Sequence, residues 1–426
     1  METISRPRPP LMIGTMLKFT IKWIAYILVV FSLTVVEIND VACAHDSNFA
    51  IDETDGTLQT SELIRKYGYP IENHEVTTSD GYILSLIRIP SQRQSKKDSC
   101  PMLLVHGFAA SSADFLLIGP NNSIAYLLAD NGYDVWLVDL RGNRYSRRHQ
   151  YLHSESKEYW DFSWHEIGYY DVPATIDRIL ELTHCKRLYY IGVSQGATVF
   201  FVMVTTQPEY NGKVARMYAL STSLYMQFIR SPIFRWVAEN ASVLKAFLDK
   251  VGIWRLFPDN SAHYNIQKIL CPRHKKRTIC ARLLELLYGP NPRGTDKLAQ
   301  YVYAGHNPSE ISTKQVLHFA QLNRAERFQQ FDYGHDKDNL IHYGSPTPPV
   351  YNLTLATVPV VIYYGLNDWL IHPRNVIRLK NELVNLVSIN AVEDPDFNHL
   401  DFVLAKQVRS LVYEKILKDL EQLEAQ

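Results

Sequence analysis

Apolar residues in this chain fall into short unbroken runs that alternate with helical patterns. Residues 101–105 (Pro-Met-Leu-Leu-Val) and 187–191 (Arg-Leu-Tyr-Tyr-Ile) are too short for helices and lack the alternation of a half-exposed strand. They predict strands buried on both faces. An apolar helical stretch follows at 197–204. Toward the C-terminus, 358–364 predicts another buried strand, 374–385 has helical period and 387–392 predicts a further strand. From 401 an amphipathic helix is expected to run almost to the end of the chain. Strands alternating with helices predict an α/β fold with a mostly parallel central sheet flanked by helices. Between 217 and 350 the alternation stops, and helical stretches rich in large apolar residues replace it. That segment is expected to be a mainly helical cap and lid inserted into a catalytic domain made of 45–216 and 351–426.

The first 44 residues follow another pattern. Lys18 and Lys22 precede an apolar run at 23–36, and Ala42-Cys43-Ala44 has the small-x-small form of a signal-peptide cleavage site. The run is short for a bilayer span, so a cleaved leader is expected, with no stable transmembrane segment after it. Composition adds little beyond class. A hydrophobic fraction of 46% suits a large globular core, and 44 basic against 44 acidic residues give no reason to expect a nucleic-acid partner.

The candidate chemistry sits where the strand at 187–191 meets the helix at 197–204. Gly192-Val193-Ser194-Gln195-Gly196 is a G-x-S-x-G turn with Ser194 at its apex. Such a turn is tight enough to exclude a Cβ at both flanking glycines, and it aims the serine hydroxyl at a helix N-terminus. A serine hydroxyl needs a base, and the base needs an orienting acid. Hydrolases built on this turn place them in the order Ser, Asp or Glu, His. Asp368 lies in the loop after the strand at 358–364, and His399 follows the loop after 387–392; these are the expected acid and base. His372 lies near Asp368 but begins a helix. Asp394 and Asp396 share a loop with His399 but read as turn formers, and Asp401 reads as a helix N-cap. The backbone N–H groups of Phe108, after His106-Gly107, and of Gln195 are the expected oxyanion hole. This chemistry calls for no metal and no organic cofactor.

Motifs matching in order extend from Ser61-Glu-Leu-Ile64 and Asp80-Gly-Tyr-Ile-Leu84 through His106-Gly107, Arg141-Gly-Asn143 and Trp160-Asp-Phe-Ser-Trp-His-Glu166. They continue with Gly305-His-Asn-Pro308, Asn367-Asp368 and Asn398-His-Leu-Asp-Phe402. In this the chain resembles the acid lipases of the α/β-hydrolase fold, the family that holds gastric and lysosomal acid lipase. The resemblance implies a lipase for carboxylic esters of long-chain fatty acids, triacylglycerol or steryl ester, acting at a lipid–water interface in acidic surroundings. It puts the nucleophile, acid and base on Ser194, Asp368 and His399. Three positions depart from the family pattern: Val193 where histidine is usual, Phe108 where leucine is usual, and Asp139 where a neutral residue is more frequent. A secreted carboxylesterase for smaller esters is the alternative enzyme, and a lipid-binding relative without catalysis the alternative outside enzymology.

Removing the leader takes Cys43 with it and leaves Cys100, Cys185, Cys271 and Cys280, which allow three pairings. The resemblance implies a Cys271–Cys280 disulfide. Cys100 and Cys185 each lie seven residues before a strand-end glycine, Gly107 and Gly192, and are expected to face each other as a second bridge. Sequons stand at Asn121, Asn240 and Asn352, while Asn307 is followed by Pro308 and excluded. Leader, disulfides and sequons together predict a secreted glycoprotein, with the lysosome as the alternative destination.

Overall fold

The computed structural model describes residues 51–91, 100–258 and 279–425. Among them are eleven strands: β1 (Glu72–Thr77), β2 (Tyr82–Ile89), β3 (Met102–Val105), β4 (Val135–Val138), β5 (Arg148–His149), β6 (Leu188–Val193), β7 (Val214–Leu220), β8 (Arg255–Leu256), β9 (Ile311–Ser312), β10 (Val360–Tyr364) and β11 (Leu386–Ala391). One sheet runs β1-β2-β4-β3-β6-β7-β10-β11, with β5 paired to β2 and a separate β8–β9 ribbon. β1 pairs antiparallel with β2, and β2 with β4; every pairing from β4 through β11 is parallel.

The central strands are buried on both faces, as their unbroken apolar runs require. In β3, Leu103 and Val105 join the core on one side while Met102 and Leu104 join the other. The helix Val172–Thr183 covers the first side through Val172, Ile176 and Ile179, spaced as one helical face. The C-terminal helix Glu414–Glu424 covers the second with Ile416 and Leu420. The helix Gln195–Thr206 is apolar almost all round, and all but its last residue are buried. Strand order reverses at β3, which has β4 on one side and β6 on the other. In parallel sheets, sites form beyond the strand C-termini at such a switch point. The loops after β3, β6, β7, β10 and β11 therefore share one rim.

Several expected elements differ. β7 extends to Leu220, with Met217 paired to Val360, so residues 217–220 belong to the main sheet and the cap begins after them. The helix expected at 374–385 is shorter, Pro373–Arg378 followed by a 3-10 turn at Leu379–Asn381. The helix expected from 401 is broken. Asp401–Leu404 ends at Ala405, whose extended backbone bridges to Thr295, and Lys406 N–H donates to Gly294 O at 2.7 Å. Helical structure resumes at Arg409. The amphipathic period is continuous there, but a long-range backbone pairing overrides it.

Cys280 is disulfide-bonded; its expected partner Cys271 lies outside the described residues, as does the leader 1–44. Cys100 and Cys185 are free thiols, which corrects the expected second bridge. β3 pairs with β6 as Met102↔Tyr189 and Val105↔Gly192. Gly107 and Gly192 are therefore not partners, and Cys100 falls level with Arg187, two residues beyond Cys185. On strands about 4.8 Å apart, that offset separates the Cα atoms by about 8 Å, more than the ~7 Å a disulfide spans. No described helix is long and apolar enough to cross a membrane.

Candidate active site

Ser194 stands between β6 and the helix Gln195–Thr206 with φ 52° and ψ −115°, a strained conformation for a residue with a Cβ. The flanking glycines are dictated by space. A Cβ on Gly192 would meet Ala197 N at 2.6 Å, and one on Gly196 would meet Val105 O at 2.1 Å. Ser194 N–H donates to Leu220 O at 2.8 Å, which ties the turn to the end of β7. Gln195 N–H is the first of its helix, where no preceding turn supplies an acceptor, so it is available to an oxyanion.

The loop after β3 lies against this turn: a Cβ on Gly107 would be in ordinary contact with Ser194 Cβ at 3.5 Å. His106 fixes the loop from behind. Its Nε2 accepts from Leu140 N–H at 3.1 Å, which places the ring proton on Nδ1, 2.8 Å from Gly107 O. Burial pushes the His106 pKa down to about 4, so the ring stays neutral in mild acid. The three departures from the family pattern lie around this rim. The Phe108 ring packs edge-on against Phe319 of the cap helix Thr313–Arg324, centroids 5.5 Å apart. Val193 is buried in β6. Asp139 is buried and accepts from Ser112 N–H, Ser112 O–H and Asn143 Nδ2, each at 2.8 Å; burial outweighs these donors and pushes its pKa up to about 6.

Asp368 and His399 meet. Asp368 follows β10, and its Oδ1 accepts from Leu370 and Ile371 N–H groups, both at 2.8 Å. Its Oδ2 lies 2.8 Å from His399 Nδ1. A carboxylate there makes Nδ1 the donor, leaving Nε2 as the free base. Both side chains are buried. The Tyr288 ring, from the cap helix Ile279–Tyr288, lies over the imidazole at 5.8 Å and 7° from parallel. No hydrogen bond joins Ser194 Oγ to His399; such contacts are often open without substrate. The elbow is nonetheless linked to the Asp368–His399 pair through two consecutive residues. Leu220 takes the Ser194 N–H, and the Oγ of the next residue, Ser221, donates to Asp368 Oδ2 and lies 3.0 Å from His399 Nδ1.

Ser221 belongs to no motif and was not singled out from the sequence. The available signal was Ser221-Thr-Ser223 directly after an apolar run, at the C-terminal end of a strand adjoining the acid's strand. The competing residues have other partners. His372 caps the helix Pro373–Arg378, its Nδ1 accepting from Arg374 N–H at 3.2 Å. Asp394 accepts from Asp396 N–H at 3.0 Å in a turn, and Asp396 pairs with Arg293 at 2.8 Å. Asp401 is not an N-cap: Leu400 holds that position, and the buried Asp401 carboxyl accepts from Asn398 N–H and Asn291 Nδ2, both at 2.7 Å. Of the sequons, Asn121 and Asn352 are exposed and Asn240 is half-buried. Among the described residues, no group of three or more His, Cys, Asp or Glu could hold a metal ion.

Residues 101–405 match the family described as the alpha/beta hydrolase fold, and residues 60–119 match the partial alpha/beta-hydrolase lipase region. Lipase 1 of Drosophila melanogaster is 41% identical over 85% of this chain and 80% of its own. Human lipase member K is 37% identical over 85% of this chain and 90% of its own. Mouse gastric triacylglycerol lipase is 35% identical over 85% and 91%. Among solved structures, a soluble variant of monoglyceride lipase from Saccharomyces cerevisiae superposes with a TM-score of 0.50 at 14% identity, covering 84% of this chain and 98% of that one; this likeness speaks for the fold.

Proposed function

The chain belongs to the lipase family of the α/β-hydrolase fold, and from that membership we propose that Ser194, His399 and Asp368 carry its ester hydrolysis. The protein is a carboxylic ester hydrolase of the lipase class, and in this proposal its substrates are esters of long-chain fatty acids. One observation carries the site assignment: a buried carboxylate orients His399 on the same rim where a serine is held in a strained strand-to-helix turn. In this reading His399 Nε2 takes the Ser194 proton as Oγ attacks the ester carbonyl. The N–H groups of Phe108 and Gln195 receive the oxyanion. The alcohol leaves with a proton from His399, and water attacking the acyl-enzyme by the same route releases the fatty acid. Family membership, the leader and the three sequons support a secreted or lysosomal glycoprotein, with Asn121, Asn240 and Asn352 as acceptors. Cys271 is the proposed partner of Cys280.

Ser194→Ala is expected to lower turnover of a long-chain triacylglycerol emulsion by about 10⁴-fold or more, and to abolish fluorophosphonate labelling without changing the thermal melt. Retained turnover would place the nucleophile elsewhere. Assay of short-chain against long-chain esters on the unaltered enzyme separates this lipase from an esterase for small substrates.

A further inference from the structure

We propose that Ser221 is a positioning residue that holds the Asp368–His399 pair in register for catalysis; this rests on the reading of those two residues as acid and base. A carboxylate offers about four lone-pair directions. Two on Asp368 Oδ1 are taken by Leu370 and Ile371 N–H groups at 2.8 Å. On Oδ2, one is taken by His399 Nδ1–H at 2.8 Å and the last by the Ser221 hydroxyl. Removing that hydroxyl leaves a buried lone pair without a donor, and Oδ2 free to swing. Ser221 Oγ is also 3.0 Å from His399 Nδ1, so the imidazole edge is held from two directions while Tyr288 covers its face.

The hydroxyl is referenced to the other parts of the site. Ser221 N–H donates to Tyr363 O at 2.9 Å, in the strand that leads to Asp368. The preceding carbonyl, Leu220 O, takes the N–H of Ser194 at 2.8 Å. Ser223 Oγ lies 2.7 Å from Thr198 Oγ1, in the first turn of the helix that follows the nucleophile. Residues 220–223 thus join the carriers of all three groups. Ser221 also has φ 49°, in the left-handed region that glycine fills at less strain. Such a conformation persists only where the surrounding contacts hold it.

That conformation supplies the test, because Ser221→Gly removes the hydroxyl while relieving the backbone, two changes that act on stability in opposite directions. The expected result is a Tm lowered less than in Ser221→Ala, KM within about twofold and kcat lower by about tenfold. Ser221→Ala should lose kcat to the same extent. In an Asp368→Asn background, itself lower by about 10⁴-fold, Ser221→Gly should cost less than about twofold more, because its partner is already gone. Unchanged kcat in Ser221→Gly overturns the proposal. So does a full tenfold loss repeated in the Asp368→Asn background, which would place the effect outside the pair. Full activity in Asp368→Asn alone is a different result and overturns the acid assignment itself.

Discussion

A carboxyl group held protonated by burial contributes most to stability in acid, and Asp114 is such a group. It lies buried in the turn Ser112–Phe115 with a hydrogen bond from Asn307 Nδ2 at 2.8 Å. Burial, with Asp139 nearby, pushes its pKa from 3.8 up to about 7. Asp139 is as deeply buried but has three donors, and reaches only about 6. Since the folded pKa of Asp114 is raised, its contribution is fully present below pH ~4 and is lost as pH rises through 7. His106 and His306, held down to about 4 by burial, act in the opposite sense: their contribution is present above pH ~6.5 and lost as pH falls through 4. Asp114→Asn keeps an acceptor for Asn307 and removes the titration. It is expected to leave the melting temperature near pH 4 almost unchanged and to stabilise at pH 8 by roughly 1–3 kcal/mol. Melts across that range check this, and an equal shift at both ends would show that burial of the charge is not the cause.

At the scale of elements, the segment from the end of the cap helix Ile279–Tyr288 is fastened to the loops of Asp368 and His399. Trp369 N–H donates to Tyr288 O at 3.1 Å and Asn367 Nδ2 to Pro290 O at 2.7 Å, from the Asp368 loop. From the His399 loop, Asn398 Nδ2 donates to Gly289 O, and the Asp401 carboxylate accepts from Asn291 Nδ2, both at 2.7 Å. Asn291→Ala takes one donor from a buried carboxyl and is expected to cost about 1–3 kcal/mol, with kcat lowered as the loop under His399 loosens. Calorimetry with a soluble-ester assay reads both, and an unchanged melt would remove the segment's fastening role. The sequence made the ends of β6, β10 and β11 legible because local signals coincide there: a buried strand run, a turn residue and then a helical period. It did not disclose Ser221, since a hydroxyl acquires its meaning from the strand beside it. The break at Ala405 was hidden for the same reason, as a pairing with Thr295 leaves no trace in periodicity. Counting to Gly107 and Gly192 misplaced Cys100 because register belongs to the sheet and not to either strand alone.

At the scale of the molecule, large apolar side chains are left in water at many points among the described residues, and four of them lie on the first two cap helices. Val243, Phe247 and Val251 form an i, i+4, i+8 stripe on the helix Ala241–Val251 and are 57%, 41% and 48% exposed. Trp236, on the preceding helix Pro232–Glu239, is 45% exposed. Apolar patches of this kind mark surfaces that meet another apolar phase, which a lipase must do before a long acyl chain can reach its serine. None of the four lies in the hydrogen-bonded rim described above, so adsorption and chemistry should separate. At about 25 cal/mol per Å², each large side chain entering lipid contributes on the order of 1–2 kcal/mol. Trp236→Ser with Phe247→Ser should therefore weaken adsorption to a trioleoylglycerol emulsion by about tenfold or more, while turnover of a soluble short-chain ester stays within about twofold. Loss of both together would mean that these side chains support the cap's fold, and retention of both would move the lipid-facing surface to another part of the molecule.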